Sequence, residues 1–198
     1  MTSPHDEPAA RPVVAHEVLH RGRVFDLVSD QVDLGGASPV VREYVAHPGA
    51  VAVIALDDDD RVLLLSQYRH AARRELWEPP AGLLDVPGEP EVEAARRELA
   101  EEADLVAGSW WRLVEFLSSP GGSDERITVF LARDLTPVAD GDRHVRLDEE
   151  AGMVPVWVPL DEAVDAALAG ALHSPTTVTG VLAAAAARAR GWATLIRV

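Results

Sequence analysis

The stretch EVEAARRELAEEADL, Glu91 to Leu105, sets Glu98, Glu101 and Glu102 on one side of a helix, at the end where the helix dipole disfavours acids. Glu98 and Glu102 are four residues apart and Glu101 follows Glu98 by three, so their carboxylates stack on neighbouring turns. Val92, Ala95 and Leu99 recur at helical period and supply an apolar stripe that anchors the helix to a core. Pro90 suits the first turn, and Glu91 and Glu93 complement its positive end. Two readings compete. In one, this is a wet surface helix with Arg97 screening Glu101 four residues on. In the other, a hard cation sits between carboxylates that otherwise repel one another. The helix is expected to stop at Asp104, where glycine is the commoner stop signal but aspartate can also enter the left-handed region.

The rest of the composition narrows the choice. The chain has 198 residues, enough for one good core with a small appended piece, and no apolar run near the ~20 residues of a membrane span. The N-terminal MTSPHDEPAARP carries acids and lacks an apolar segment, so no signal peptide is expected, and the expected compartment is the cytoplasm. Cysteine is absent, which excludes disulfides, thiolate chemistry and zinc–sulfur sites. All 18 basic residues are arginine, so neither a phosphate-loop lysine nor a Schiff-base lysine exists. A net charge of −15 argues against nucleic-acid binding, which needs a basic footprint. Acid clusters with isolated arginines suit an anionic small molecule delivered with divalent cations.

Along the chain, residues 1–12 are expected to be a disordered tail, and residues 13–46 a small antiparallel β subdomain built from VAHEVLH, RVFDLVSDQVDL and VVREYVA. His47-Pro48-Gly49 marks the break before the main domain, 47–198. There, AVAVIAL and RVLLLSQY flank Asp57 to Asp60, a solvated hairpin turn lacking the alternating spacing and glycine of a calcium loop. A polar loop after Arg69 leads into ELWEPPAGLL, which its two prolines keep from being helical. Beyond the acidic helix come strand SWWRLVEF, loop SSPGGSDE, strand RITVFLAR, an acidic loop from Asp134 to Gly152 and strand VPVWV. LDEAVDAAL and SPTTVTGVLAAAAARAR close the chain as helices. The expected class is α/β or α+β, in layers.

The segment GLLDVPGEPEVEAARRELAEEADL resembles the Nudix box, G-x5-E-x7-R-E-U-x-E-E-x-G-U, with its glutamates and arginine at Glu89, Arg97, Glu98, Glu101 and Glu102. It departs in two places: six residues rather than five separate Gly82 from Glu89, and Asp104 replaces the second glycine. HPGAVAVIAL, QYRHAARRELWEPPAG and SPGGSDE are further similar to the ADP-ribose pyrophosphatases of that family, a resemblance covering most of residues 40–185. It implies an α/β/α sandwich around a mixed sheet, and a homodimer with swapped N-terminal strands. It also implies magnesium-dependent hydrolysis (manganese is the alternative ion) of the pyrophosphate in ADP-ribose, a nucleoside diphosphate sugar.

By that resemblance Glu98 and Glu102 are the main metal ligands, Glu101 a further ligand or an outer group, and the Ala81 carbonyl completes the site. Gly82, Glu89 and Arg97 shape it. Arg69 and Glu125 contact substrate, and Glu78 contacts substrate or metal unless it is a buried acid satisfied by loop amides. A general base is expected from the acidic loop, at Glu150 or Glu149. Arg73 and Arg74 read equally as substrate contacts or solvated loop residues, and Asp124 as a turn former. Trp77, Trp110, Trp111 and Trp157 could stack on a base, but alternating strand tryptophans read as core. The alternatives are a hydrolase of another nucleoside diphosphate sugar, a silent ADP-ribose sensor, and a structural protein whose acidic helix binds no metal.

Overall fold

The computed structural model describes residues 4–141, 143–144 and 153–198. It divides into two compact units, one running to Pro48 and taking in Ser119–Glu125, the other formed by Gly49–Ser118 and Arg126–Val198. The first unit is an antiparallel sheet of β1 (Val13–Arg21), β2 (Asp26–Val32) and β3 (Val40–Ala46), in the order β1-β2-β3. Arg23 to Phe25, expected as strand, instead form the turn closed by the Gly22 amide on the Phe25 carbonyl at 3.0 Å. Inside the sheet, Asp30 is buried and accepts the Tyr44 hydroxyl at 3.1 Å, with His16 Nδ1 2.6 Å from its other oxygen. Burial, and then the neighbouring Asp30, push the Tyr44 phenol above its ordinary pKa.

The second unit is built on β4 (Ala50–Ala55), β5 (Arg61–Arg69), β6 (Arg74–Glu78), β7 (Ala81–Leu83), α1 (Glu91–Ala103), β8 (Leu105–Leu117) and β9 (Arg126–Pro137). It closes with β10 (Val154–Pro159), α2 (Leu160–Leu168), α3 (Pro175–Arg188) and the short β11 (Ile196–Arg197). Five strands form a mixed sheet in the order β11-β8-β9-β4-β7, and three form an antiparallel one, β10-β5-β6. Strand β4 pairs parallel with β9 and antiparallel with β7. Its sequence is apolar at every position because both faces are covered. Val51, Val53 and Ala55 meet Ala94, Ala95 and Leu99 of α1, whereas Ala52 and Ile54 meet Leu160 and Ala163 of α2 and Val181 and Ala184 of α3. This is the α/β/α layering. On the far face α3 lies so close to the sheet that a Cβ on Gly180 would sit 2.7 Å from Ile54 Cδ1. Among the described residues, no helix is long and apolar enough to cross a membrane.

The Asp57–Asp60 turn binds itself together. Asp57 accepts the amides of Asp59 at 3.1 Å and Arg61 at 2.8 Å, and the Arg61 guanidinium at 2.7 Å. Burial opposes its ionisation, but the Arg61 amide and side chain outweigh that and hold the carboxyl below the usual range. Four strand features exceed the expected pattern. The polar loop after Arg69 is a tight hairpin into β6, β7 follows the two prolines, β8 begins directly after the helix, and β9 continues to Pro137, pairing with Leu105. Strand β11 was not expected; it is held by pairing with Trp111 and Arg112 rather than by burial.

Helix α1 ends as its sequence allows. Asp104 sits at φ 54, ψ 36, the left-handed region, with its amide on the Ala100 carbonyl at 3.1 Å. Its own carbonyl accepts the Val138 amide at 2.8 Å, tying the helix stop to the end of β9. Glycine enters that region without a Cβ clash, so Asp104→Gly is expected to raise the melting temperature of the metal-free protein slightly. The gain corresponds to about 1 kcal/mol or less, with turnover changed by less than about threefold. Melting curves and steady-state kinetics of the variant check both values.

Candidate active site

The acidic face of α1 looks onto β7 at a separation set by one missing side chain. A Cβ on Gly82 would lie 2.0 Å from the Glu98 carboxyl carbon and 2.0 Å from its Oε1. No pair of such atoms tolerates that distance, so residue 82 is glycine because the Glu98 carboxylate occupies the space of its side chain. Two things bring the strand so near. Leu99 is fully buried under α1, contributing about 2 kcal/mol. The Pro80 carbonyl accepts the Val53 amide at 2.8 Å, which pins the double-proline bend against β4.

One residue earlier, the Ala81 amide donates to Glu102 Oε2 at 2.9 Å. Glu102 is only 8% exposed, and this charge-assisted bond offsets part of the cost of burying its carboxylate. The bond also fixes the peptide at Ala81, the residue whose carbonyl was the expected main-chain ligand.

Arg97 is the hub of the remaining acids. Its Nη1 lies 2.6 Å from Glu98 Oε1 and 3.4 Å from Glu101 Oε2. Its Nε and Nη2 straddle the two oxygens of Glu89 at 3.2 and 3.1 Å. The helical pairing of Arg97 with Glu101 is therefore present but is the longest of its contacts. Hydrogen bonding to Glu89 raises the Arg97 pKa further above its ordinary value, and burial, which works against this, is outweighed by Glu98 and Glu89. The guanidinium is a permanent cation shared among three carboxylates. Glu98 and Glu101 thus meet at Arg97 while Glu102 turns to Ala81. Among the described residues, no three acid or imidazole side chains converge on one point that could hold a metal ion. The donors within this patch are nonetheless all oxygen, carboxylate and carbonyl, which suits a hard divalent cation and no soft one.

The other expected site residues are distributed as follows. Arg69 pairs with Arg74 in the β5–β6 register, and its side chain runs back along the hairpin to Glu78, with Nε and Nη2 at 2.9 and 2.6 Å from Glu78 Oε2. Glu78 lies three residues before Ala81 in the chain, at the end of β6. Arg73 is in the hairpin turn at φ 52, and Arg74 Nη1 lies 3.5 Å from His173 Nε2. Glu125 belongs to the first unit, 3.7 Å from His47 Nδ1, and Asp124 holds that loop by accepting the His47 amide at 2.8 Å. Glu149 and Glu150 lie outside the described residues. Trp110 is core, Trp111 and Trp157 pack against the two cores, and Trp77 alone of the four is substantially exposed, at 40%.

Sequence reading missed two features. The Ala81–Glu102 bond has no local signal, because its partners are 21 residues apart. Glu91, read as a complement to the helix dipole, instead sends its carboxylate across to the sheet, to Arg112 at 2.7 Å and Arg126 at 2.9 Å.

Comparison with known proteins places this geometry in context. A family model described as NUDIX domain matches residues 46–177. The chain is 45% identical over 170 residues to a Mycobacterium tuberculosis protein named ADP-ribose pyrophosphatase, covering 86% of this chain and 81% of that one. A Bacillus subtilis protein of the same name is 36% identical over 151 residues, 76% of this chain and 80% of that one. A solved structure of an ADP compounds hydrolase has a TM-score of 0.77 at 22% identity, covering 94% of this chain and 99% of that one, and shows the likeness of fold.

The contact at Gly82 generates a sharp expectation. In Gly82→Ala the new methyl must expel the Glu98 carboxylate from between β7 and Arg97. Because Glu98 is a flexible side chain, the fold survives at a cost of about 1–3 kcal/mol. Metal-dependent turnover is expected to fall on the order of a hundredfold, as it does when groups that orient metal ligands are lost. Parallel denaturant curves and kinetics separate the two effects.

Proposed function

This chain belongs to the NUDIX domain family, and we propose that it hydrolyses the pyrophosphate bond of ADP-ribose, giving AMP and ribose 5-phosphate. The observation that carries the reading is the packing of Glu98 into the space above Gly82, with Glu102 on the Ala81 amide and Arg97 gripping Glu89 and Glu98. The two relatives named ADP-ribose pyrophosphatase support the choice of substrate.

In the reaction one phosphorus–oxygen bond to the bridging oxygen breaks and one to a water oxygen forms, and the water's proton leaves to a base. Glu98, Glu102, the Ala81 carbonyl and, further out, Glu101 would hold magnesium, or manganese in its place. A bound divalent ion neutralises phosphate charge and lowers the pKa of its water. The protein's own groups do the positioning. Arg97 holds Glu98 and Glu101 in one orientation while Glu89 holds Arg97 from behind. Gly82 leaves room for Glu98, and Glu102 fixes the Ala81 peptide. Arg69, set by Glu78, is the proposed phosphate or terminal-ribose contact, its planar fork suiting bidentate recognition. Glu125 is a proposed substrate contact. Glu150 or Glu149 is the proposed general base, worth roughly two to four powers of ten in rate.

We further propose a cytoplasmic homodimer with swapped N-terminal strands that does not bind nucleic acid. The first unit supports the dimer, since Val13, Val14 and Val41 of its sheet and Phe25 and Leu34 of its turns are at least half exposed, more apolar surface than so small a unit hides alone. The charge of −15 supports the absence of nucleic acid.

A panel of nucleoside diphosphate sugars with magnesium, read by product identification, tests the substrate. Release of AMP and ribose 5-phosphate from ADP-ribose is expected; efficient cleavage of another member with ADP-ribose inert contradicts it. Glu98→Gln and Glu102→Gln are each expected to lower kcat on the order of a hundredfold or more while the protein stays folded. Near-wild-type rates in both variants remove the metal site.

A further inference from the structure

The acidic helix is held to the sheet by two kinds of contact. Along most of its length the contact is apolar and made by small side chains, with Ala94, Ala95 and Leu99 against Val51, Val53, Phe130 and Ala132. Such contacts resist separation, but being non-directional they do not single out one carboxylate position to within a few tenths of an ångström. At both ends the contact is polar: near the last turn Glu102 takes the Ala81 amide of β7, and at the first turn a second such contact is made. Pro90 offers no side-chain cap, and the carboxylate of Glu91 reaches the sheet instead. Its Oε2 takes Arg112 Nη2 at 2.7 Å and its Oε1 takes Arg126 Nη2 at 2.9 Å, one guanidinium from each of two adjacent strands.

The sheet is deformed where this happens. The β8–β9 register slips between Arg112 and Val114, a bulge. Leu113 and Val114 both pack into the apolar cluster on the opposite face, so Arg112 and Glu115 emerge together on the helix side. In a regular strand residues three apart point to opposite faces; here their side chains meet at 3.3 Å. Thr128, 1% exposed, stands 3.5 Å from both Arg112 Nη2 and Glu115 Oε2. The backbone of Arg112 is in turn paired with Ile196 of β11. Two arginines therefore converge on the Glu91 carboxylate, and the bulge, Thr128 and Glu115 hold one of them, Arg112, in place.

Glu91 precedes Glu98 by two turns, about 10 Å along the axis, so it touches neither the metal ligands nor the bond to be broken. Its influence runs through the helix. Glu98 fits above Gly82 with no room to spare, so a small axial slip displaces its carboxylate. Resting on the metal-site reading above, we propose that Glu91, gripped by Arg112 and Arg126, is a positioning residue that sets the axial register of α1 and through it the affinity for the divalent ion.

The test is a manganese titration of Glu91→Gln and Arg126→Gln without substrate, read as free ion by electron paramagnetic resonance, with melting curves of the metal-free proteins. Both variants are expected to weaken manganese binding roughly three- to tenfold, and the double variant to be no worse than the poorer single one, because the residues act as a unit. At saturating metal the KM for ADP-ribose should stay at the wild-type value. Affinity within twofold of wild type in both single variants, or losses that add in the double variant, overturns the proposal. Should Glu91→Gln fail to fold, Arg126→Gln, which keeps Arg112 on Glu91, decides alone. Wild-type protein that binds manganese but spares ADP-ribose overturns the substrate reading and leaves this test intact; wild-type protein that binds no manganese overturns the positioning role as well.

Discussion

Strand β7 meets helix α1 at a distance that only a hydrogen on the Gly82 Cα permits, and the Glu98 carboxylate fills the space so created. Everything around this contact serves to keep it. Leu99 and the two alanines before it press the helix onto β4, the Pro80 carbonyl fastens the bend before β7 to Val53, and Glu102 takes the Ala81 amide. With glycine at 82 and Arg97 on Oε1, the Glu98 carboxylate is confined far more than that of a surface glutamate. Its orientation is set before any ligand arrives, as the proposed metal site requires.

The charge problem raised by the acidic face is resolved by Arg97. Three carboxylates at one end of a helix should repel each other and the dipole. One guanidinium, itself held bidentately by Glu89, contacts Glu98 and Glu101 together. Lysine could not do this, because a point charge offers no planar fork to span separate acids. The opposite end of the helix has its own clamp at Glu91, so directional contacts bracket the apolar stripe on both sides.

Much of this was legible in the sequence, for physical reasons. The helix, its core stripe and its acidic face follow from period alone, and the continuous apolar run of β4 announces a strand covered on both sides. The box of glutamates and arginine led to the family, and the replacement of its second glycine by Asp104 proved a permissible helix stop, with φ at 54. What stayed hidden depends on chain-distant partners. Nothing local marks the slip in β8 that turns Arg112 and Glu115 to one face, and nothing near the C-terminus announces a strand as short as β11. Glu91 looked like a dipole complement because its partners lie 21 and 35 residues away. Short strands beside prolines, β6 and β7, escaped because two prolines dominate the local pattern.

Anomalous diffraction from crystals soaked in manganese, recorded near the manganese absorption edge, examines the whole arrangement at once. A peak ligated by the Glu98 and Glu102 carboxylates and the Ala81 carbonyl, with Arg97 still seated on Glu89, is the expected result. A peak elsewhere, or manganese bound only where Arg97 has left Glu89 and α1 has moved away from Gly82, contradicts the account.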